Sequence, residues 1–272
     1  MAVELERDLV PDGLWEIVEP LIQPFRLRRQ GGGTAPLADR KVFTAIVYAL
    51  TTSCAWRRLP PCFGVSPATA HRRFTAWTRA GLWPRLHAAV LNRLGAAGAV
   101  GWSAALVDSA SVRAKKGGEL VGPNPVDRGK PGSKLHVLTD AEGLPLVTAV
   151  SAANTHDSLA LKPLVKAIPA VRSRRGPRRR RPAKLRADKG YDYPELRRWL
   201  RDRNITPKIA RRGIESSERL GRYRWKVERS ISWLFNYRRL TVRYECKSRH
   251  FAAFLSLAAT LICYRKLVRL AT

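Results

Sequence analysis

A chain of 272 residues fits one large domain or two modest ones, and a hydrophobic content of 45% argues against disorder. With 51 Lys and Arg against 21 Asp and Glu, the formal net charge is +30, which favours a polyanionic partner through phosphate contacts and counterion release. The acidic start lacks an apolar leader core, and the longest apolar run, Phe251 to Tyr264, falls short of the roughly 20 residues of a membrane span. Nucleic acid is therefore expected ahead of an anionic membrane, in a cytoplasmic, nucleoid-associated protein.

Residues 1–95 read as all-helical. Asp39 is placed to cap a helix whose apolar face carries Val42, Ile46, Val47 and Leu50. The stretch 56–61, with two prolines, must break helix. Ser66 then caps a helix with Pro67 at its first position, and Gly81 can end it. That helix buries Ala70, Phe74 and Trp77 and leaves Thr69, Arg72, Arg73 and Thr75 outside. A break followed by a short basic helix suits a helix-turn-helix-like DNA reader. A small helical bundle with a solvated basic face is the alternative.

Residues 103–210 alternate short apolar runs with helical patterns. Ala104–Val107 is a short run ending at Asp108. Lys134–Thr139, a turn at 140–143 and Leu144–Val150 read as a hairpin. Asp157–Ile168 has helical spacing, kinked or restarted at Pro163, with Asp157 as its cap; His136 is expected to be structural. Residues 172–182 hold seven arginines and read as a solvated, mobile loop, either a plain linker or a DNA clamp. Lys184–Ala187 is a run ending at Asp188, followed by a helix over 194–203 and a strand over 206–210. Strands first, then strand–helix alternation, imply a mixed α/β sheet with helices packed on it.

Beyond 222 the pattern is helical again, with core stripes Val227, Ile231, Leu234, Phe235 and Phe251, Phe254, Leu255, Ala258, Leu261, Ile262. Cys54, Cys62, Cys246 and Cys263 form no Cys-x-x-Cys pair and no His cluster lies beside them, so neither zinc site nor disulfide framework is expected, only reduced, mostly buried thiols.

Acidic residues are scarce, so Asp108 and Asp188 at strand ends stand out. Burying a carboxylate there is costly unless a cation compensates, and a divalent metal would. Glu228, with Arg224 four residues before it, can add a third carboxylate from a helix. On spacing alone the aspartates could equally be turn formers and Glu228–Arg224 a surface ion pair.

Several blocks together resemble the insertion-sequence DDE transposases, in the insertion-sequence-five group, over nearly the whole chain. They are Ala105-Leu-Val-Asp-Ser-Ala-Ser-Val-Arg-Ala114, Gly132–Asp140 with Glu142-Gly143, Ala187-Asp-Lys-Gly-Tyr-Asp192, and Arg222-Tyr-Arg-Trp-Lys-Val-Glu-Arg-Ser230 running on through Tyr237-Arg-Arg-Leu240. The resemblance implies an RNase H-like catalytic domain over 103–272, preceded by a helical DNA-binding domain over 1–95. It implies a catalytic and metal-binding triad of Asp108, Asp188 and Glu228 holding two Mg²⁺ or Mn²⁺ ions. The implied activity is binding the element's terminal inverted repeats, hydrolysing the phosphodiester at its ends and joining the 3′-hydroxyl to target DNA, as a dimer or larger assembly. Cations expected to meet DNA are Arg72, Arg73, Arg113, Lys134, Arg178, Arg179, Arg224, Arg238 and Arg239, with Thr69 beside them. In the family's Tyr-Arg-Glu-Lys signature this chain has Gly221 and Phe235 at the outer positions, with Tyr223, Arg238 and Arg239 as candidate stand-ins. A silent DNA-binding descendant and an RNase H-like nuclease or resolvase are the rival functions.

Overall fold

The computed structural model describes residues 2–23, 37–211 and 217–271, with side chains from 5–23, 37–211 and 224–271. Helices α1 (Ala2–Leu9), α2 (Asp12–Val18), α3 (Asp39–Thr52), α4 (Pro67–Arg79) and α5 (Leu82–Ala96) come first. Then follow β1 (Ala105–Ala114), β2 (Gly122–Pro123), β3 (Pro131–Asp140), β4 (Pro145–Ala152), α6 (Ser158–Lys166), β5 (Lys184–Ala187), α7 (Pro194–Arg201), β6 (Thr206–Ile209), α8 (Ser217–Phe235), β7 (Val242–Arg243) and α9 (Ser248–Val268).

The sheet is mixed. Across it the principal strands run β4, β3, β1, β5, β6: the first three antiparallel, the last two parallel to β1. The short β2 flanks the start of β3. β1 continues well past Asp108, because β3 pairs with it in unbroken register from Ala105↔Asp140 to Arg113↔Gly132. Asp108 is therefore a mid-strand residue, not the terminal one its short apolar run suggests. On its other edge β1 pairs with β5 only at Ala105 and Leu106, and with β7 only at Arg113 and Ala114. Between these contacts the edge of β1 is split open, and Asp108 lies in the split.

One hydrophobic core runs from Val10 to Tyr264, so the amino-terminal helices and the sheet share their interior. Its middle is α9, which packs on α5 and β4 and stacks Phe254 on Phe74 at 4.5 Å between ring centroids. At 21 residues α9 is longer than its apolar run suggested, and by length and composition it could cross a membrane. Instead 61% of its most apolar window is buried inside the protein.

Local expectations fared unevenly. Ser66 caps α4, its Oγ accepting from the Thr69 amide, with Pro67 first in the helix. Asp39 caps nothing: it is the first residue of α3 and turns to Arg73 at 2.5 Å, a charge partner that prevails over the weaker cap bond. α6 runs through Pro163 unbroken. The base of the arginine loop is closed: Val171 and Arg179 exchange backbone hydrogen bonds of 2.8 Å, and the Arg172 amide donates to Asn92 on α5. Of the four unpaired cysteines only Cys263 is buried; Cys62 and Cys246, in short connections, are exposed and Cys54 is half-buried.

Candidate active site

The carboxylates meet at the split in the sheet. Extending the β1–β5 register by two residues beyond Leu106↔Arg186 sets Asp108 beside Asp188, the residue just after β5. Asp108 Oδ1 accepts from the Ser109 amide at 2.8 Å, and Asp188 Oδ1 accepts from the Gly190 amide at 2.9 Å, opening the turn 189–191. Glu228 comes from α8, one turn after Arg224. The Arg224 Nε forms an ion pair with Glu228 Oε1 at 2.9 Å and stands 3.8 Å from Asp108 Oδ2. Burial pushes the Asp108 carboxyl up to about 6; the Ser109 amide and Arg224 oppose this, while Asp188 and Glu228 add to it. The site thus sets Arg224 between Asp108 and Glu228, with Asp188 beside Asp108.

What aims Glu228 is a set of contacts that the sequence did not single out. Lys226 donates to the Ala141 carbonyl (2.9 Å) and to the Glu142 carboxylate, Arg229 donates to the Glu142 carbonyl (2.7 Å), and the Ser230 hydroxyl donates to the Gly143 carbonyl. These fasten α8 to the β3–β4 turn. Gly143 is at φ +85°, and a Cβ there would stand 2.7 Å from the Lys226 carbonyl, so the close approach requires glycine. Asp140 holds the turn by accepting from the Gly101, Glu142 and Leu144 amides. The acidic–glycine signal of a turn was legible at 140–143; its helix partner was not.

A second polar cluster lies beside the first. Ser109, Lys134 and His136 share a sheet face, since Ser109 pairs with His136 and Lys134 is two residues away. Asp157 stands at the start of α6 but caps nothing; its Oδ1 accepts from Ser109 Oγ at 2.8 Å and is paired with the Lys134 ammonium at 3.0 Å. Lys134 also donates to the Thr155 carbonyl. It is engaged inside the protein rather than offered to DNA, because an ammonium on a mostly buried strand needs these partners. His136 is buried and hydrogen-bonded to Ser151, as a structural histidine should be, and burial lowers it to about 4. Tyr191 is 1% exposed; burial raises its phenol, and the carboxylates of Asp157, Asp108 and Asp188 raise it further. Its buried hydroxyl has no hydrogen-bond partner.

The remaining basic residues divide into exposed and engaged. Arg72 and Arg238 are exposed. Thr69 bonds the Ser66 hydroxyl, Arg73 is paired with Asp39 and lies 5.8 Å from the Trp77 ring, and Arg113 stands 3.9 Å from Asp127. Arg178 donates to Asn92 and the Ala170 carbonyl, while Arg179 lies 5.8 Å from the Trp102 ring. Arg178, Arg179, Arg180 and Arg181 line a cleft of about 740 Å³ with Lys166 and Arg203, at the end of β5 away from Asp188. Arg239 is buried: it donates to Glu245 at 2.7 Å and to the Cys54 carbonyl at 2.5 Å, so it ties α8's sequel to the helical layer and has no reach to DNA. Phe235 packs against the core, while Gly221 and Tyr223 lie outside the residues with described side chains.

A divalent cation fits this chemistry. The donors are hard carboxylate oxygens, the partly exposed Arg224 stands between Asp108 and Glu228, and the buried Tyr191 hydroxyl has no hydrogen-bond partner among the described residues. Among the described residues no three His, Cys, Asp or Glu side chains already form a closed metal-binding group.

Residues 103–263 match the family model described as a transposase DDE domain, and residues 10–87 match one described as "Putative transposase of IS4/5 family". The chain is 49% identical over 148 residues, 54% of its length and 70% of the relative's, to the Burkholderia cepacia protein described as "Putative transposase for insertion sequence element IS402". It is 38% identical over 123 residues, 44% of its length and 84% of the relative's, to the "Insertion element IS402 uncharacterized 16.2 kDa protein" of the same species. With a carboxylate site in a mixed sheet and a family match covering more than half of its length, the chain belongs to the DDE transposases of insertion sequences, enzymes that use divalent metal ions.

Proposed function

We propose that this transposase binds the terminal inverted repeats of its own element, cleaves the phosphodiester at each end and joins the freed 3′-hydroxyl to target DNA, using Asp108, Asp188 and Glu228. The observation that carries the reading is the meeting of Asp108 and Asp188 in the split of the sheet, faced by Glu228 on α8. The order β4-β3-β1-β5-β6, with the antiparallel strands on one side, supports an RNase H-like core. Two Mg²⁺ or Mn²⁺ ions held by the triad would supply a Lewis acid for the phosphate and an activated water.

The chain's own residues do the rest. Asp108 must lose its proton to serve, and Arg224 stands between Glu228 and Asp108, where its guanidinium would balance their charge and could also meet a DNA phosphate. Lys226, Arg229 and Ser230 keep α8 from withdrawing Glu228. In a helix-turn-helix-like role α4 offers Thr69 and Arg72 to the end DNA, with Arg73 bracing it from inside. Arg178, Arg179, Arg113 and Arg238 supply further phosphate contacts. Both ends must be held at once, so the working form is a dimer or larger. Acting on DNA, it works in the cytoplasm.

Asp108→Ala tests this. It should abolish nicking of element-end DNA in Mg²⁺ or Mn²⁺ while leaving the gel shift of that DNA intact. Continued nicking would remove Asp108 from the site.

A further inference from the structure

Near the carboxylates, one hydroxyl serves neither the packing of the core nor the chemistry proposed for the triad. Tyr191 sits in the turn that follows Asp188, its ring in the core and its hydroxyl sealed from solvent. A buried hydroxyl without a partner is destabilising, and phenylalanine would fill the same space without that cost. The hydroxyl's charged neighbours are all acceptors: Asp157, Asp108 and Asp188. It is a protonated donor beside carboxylates, and it has no hydrogen-bond partner among the described residues.

Of the three acids, Asp157 is already fixed by Ser109 and Lys134, and Asp108 by the Ser109 amide and Arg224. Asp188 accepts through Oδ1 from the Gly190 amide of its own turn, and the Tyr191 amide bonds the Asp188 carbonyl at 3.2 Å, so the turn itself couples the two residues. Being buried, the hydroxyl cannot reach DNA. We propose that Tyr191 is a positioning residue of the carboxylate site, its hydroxyl donating to the second carboxylate oxygen of Asp188 when the acids gather on a divalent cation. This inference rests on the triad reading and adds to it the residue that fixes its second acid.

Tyr191→Phe separates the two states. Without metal its melting temperature should equal or exceed that of the unsubstituted protein, since only an unsatisfied group is removed. Mn²⁺ titrated into the protein alone, followed by calorimetry, should bind on the order of 10-fold more weakly, the lower end of the 10–100-fold seen when a partner of a metal ligand is lost. Cleavage of element ends should slow by a similar factor, with end binding unchanged. A fall of several degrees in the metal-free melting temperature would overturn the proposal, because the hydroxyl would then be bonded already; so would unaltered Mn²⁺ affinity. Asp188→Ala, run in parallel, keeps the two ideas apart: if it leaves Mn²⁺ binding untouched the triad itself fails, whereas a loss there with none in Tyr191→Phe rejects Tyr191 alone.

Discussion

Two arginine–glutamate clamps lie close together in the chain, and they show what burial does to one chemistry. Arg224 and Glu228 meet at 2.9 Å on α8, with side chains 44% and 55% exposed. Arg239 and Glu245 meet at 2.7 Å, with side chains 6% and 5% exposed. The second guanidinium also caps the Cys54 carbonyl and lies over the Trp56 and Phe254 rings at 5.7 and 5.2 Å. In water the first pair is worth little and exchanges its partners readily. In the interior the second is locked, because opening it strands a charge. The open clamp belongs to the site and the closed one to the frame that holds helices against sheet.

The largest effect on stability should come from breaking the closed clamp. Arg239→Ala leaves Glu245 buried without its cation, a loss of about 3–5 kcal/mol, or roughly 10 °C in melting temperature for a chain of this size. Arg239→Met with Glu245→Leu should recover most of it, since an apolar pair needs no desolvated charge. A single variant that melts within a degree or two of the parent would contradict the locked reading. Smaller is the effect of opening the exposed clamp. Arg224→Ala should change the melting temperature by no more than about 2 °C, because exposed pairs contribute about 0–1 kcal/mol. Its signature is in DNA binding instead: affinity for element ends should drop and the slope of log K against log salt should shrink by about 1, one phosphate contact fewer. An unchanged slope would keep Arg224 at the carboxylates alone.

The same contrast explains what could be read from the sequence. Hydrophobic period located most of the strands and helices, the Ser66-Pro67 cap and the turn at 140–143, because those signals are local. The three carboxylates proposed for the site stand out through the blocks around them, which carry the resemblance. Missed were features set by distant pairing. Nothing local says that Asp108 lies inside a ten-residue strand; the register with β3 does. Asp157 reads as a cap until β1 and β3 bring Ser109 and Lys134 to it. Arg238 and Arg239 are neighbours of one type, yet one is exposed and the other buried, a difference settled by residues as far away as Cys54. The fastening of α8 by Lys226, Arg229 and Ser230 has the same origin.

The smallest effect is the finest test of the open clamp. Asp108 titrates at about 6 in the folded protein against 3.8 in the unfolded chain, so its contribution to stability is complete below 3.8 and is lost as pH rises through about 6. A cation needs the ionised form, so proton and Mn²⁺ compete: affinity measured by calorimetry should fall as pH is lowered through about 6, approaching tenfold per unit for one displaced proton. Arg224 favours the ionised form, and it too must yield to the metal. Arg224→Gln should therefore move the midpoint upward while strengthening Mn²⁺ binding on the alkaline side, where no proton competes and only the guanidinium did. A buried clamp could not show both changes, because removing its arginine would unsettle the fold before the titration began. If the midpoint stays put, the 3.8 Å approach of Arg224 to Asp108 carries no charge coupling, and only its bond to Glu228 remains to explain why it faces the site.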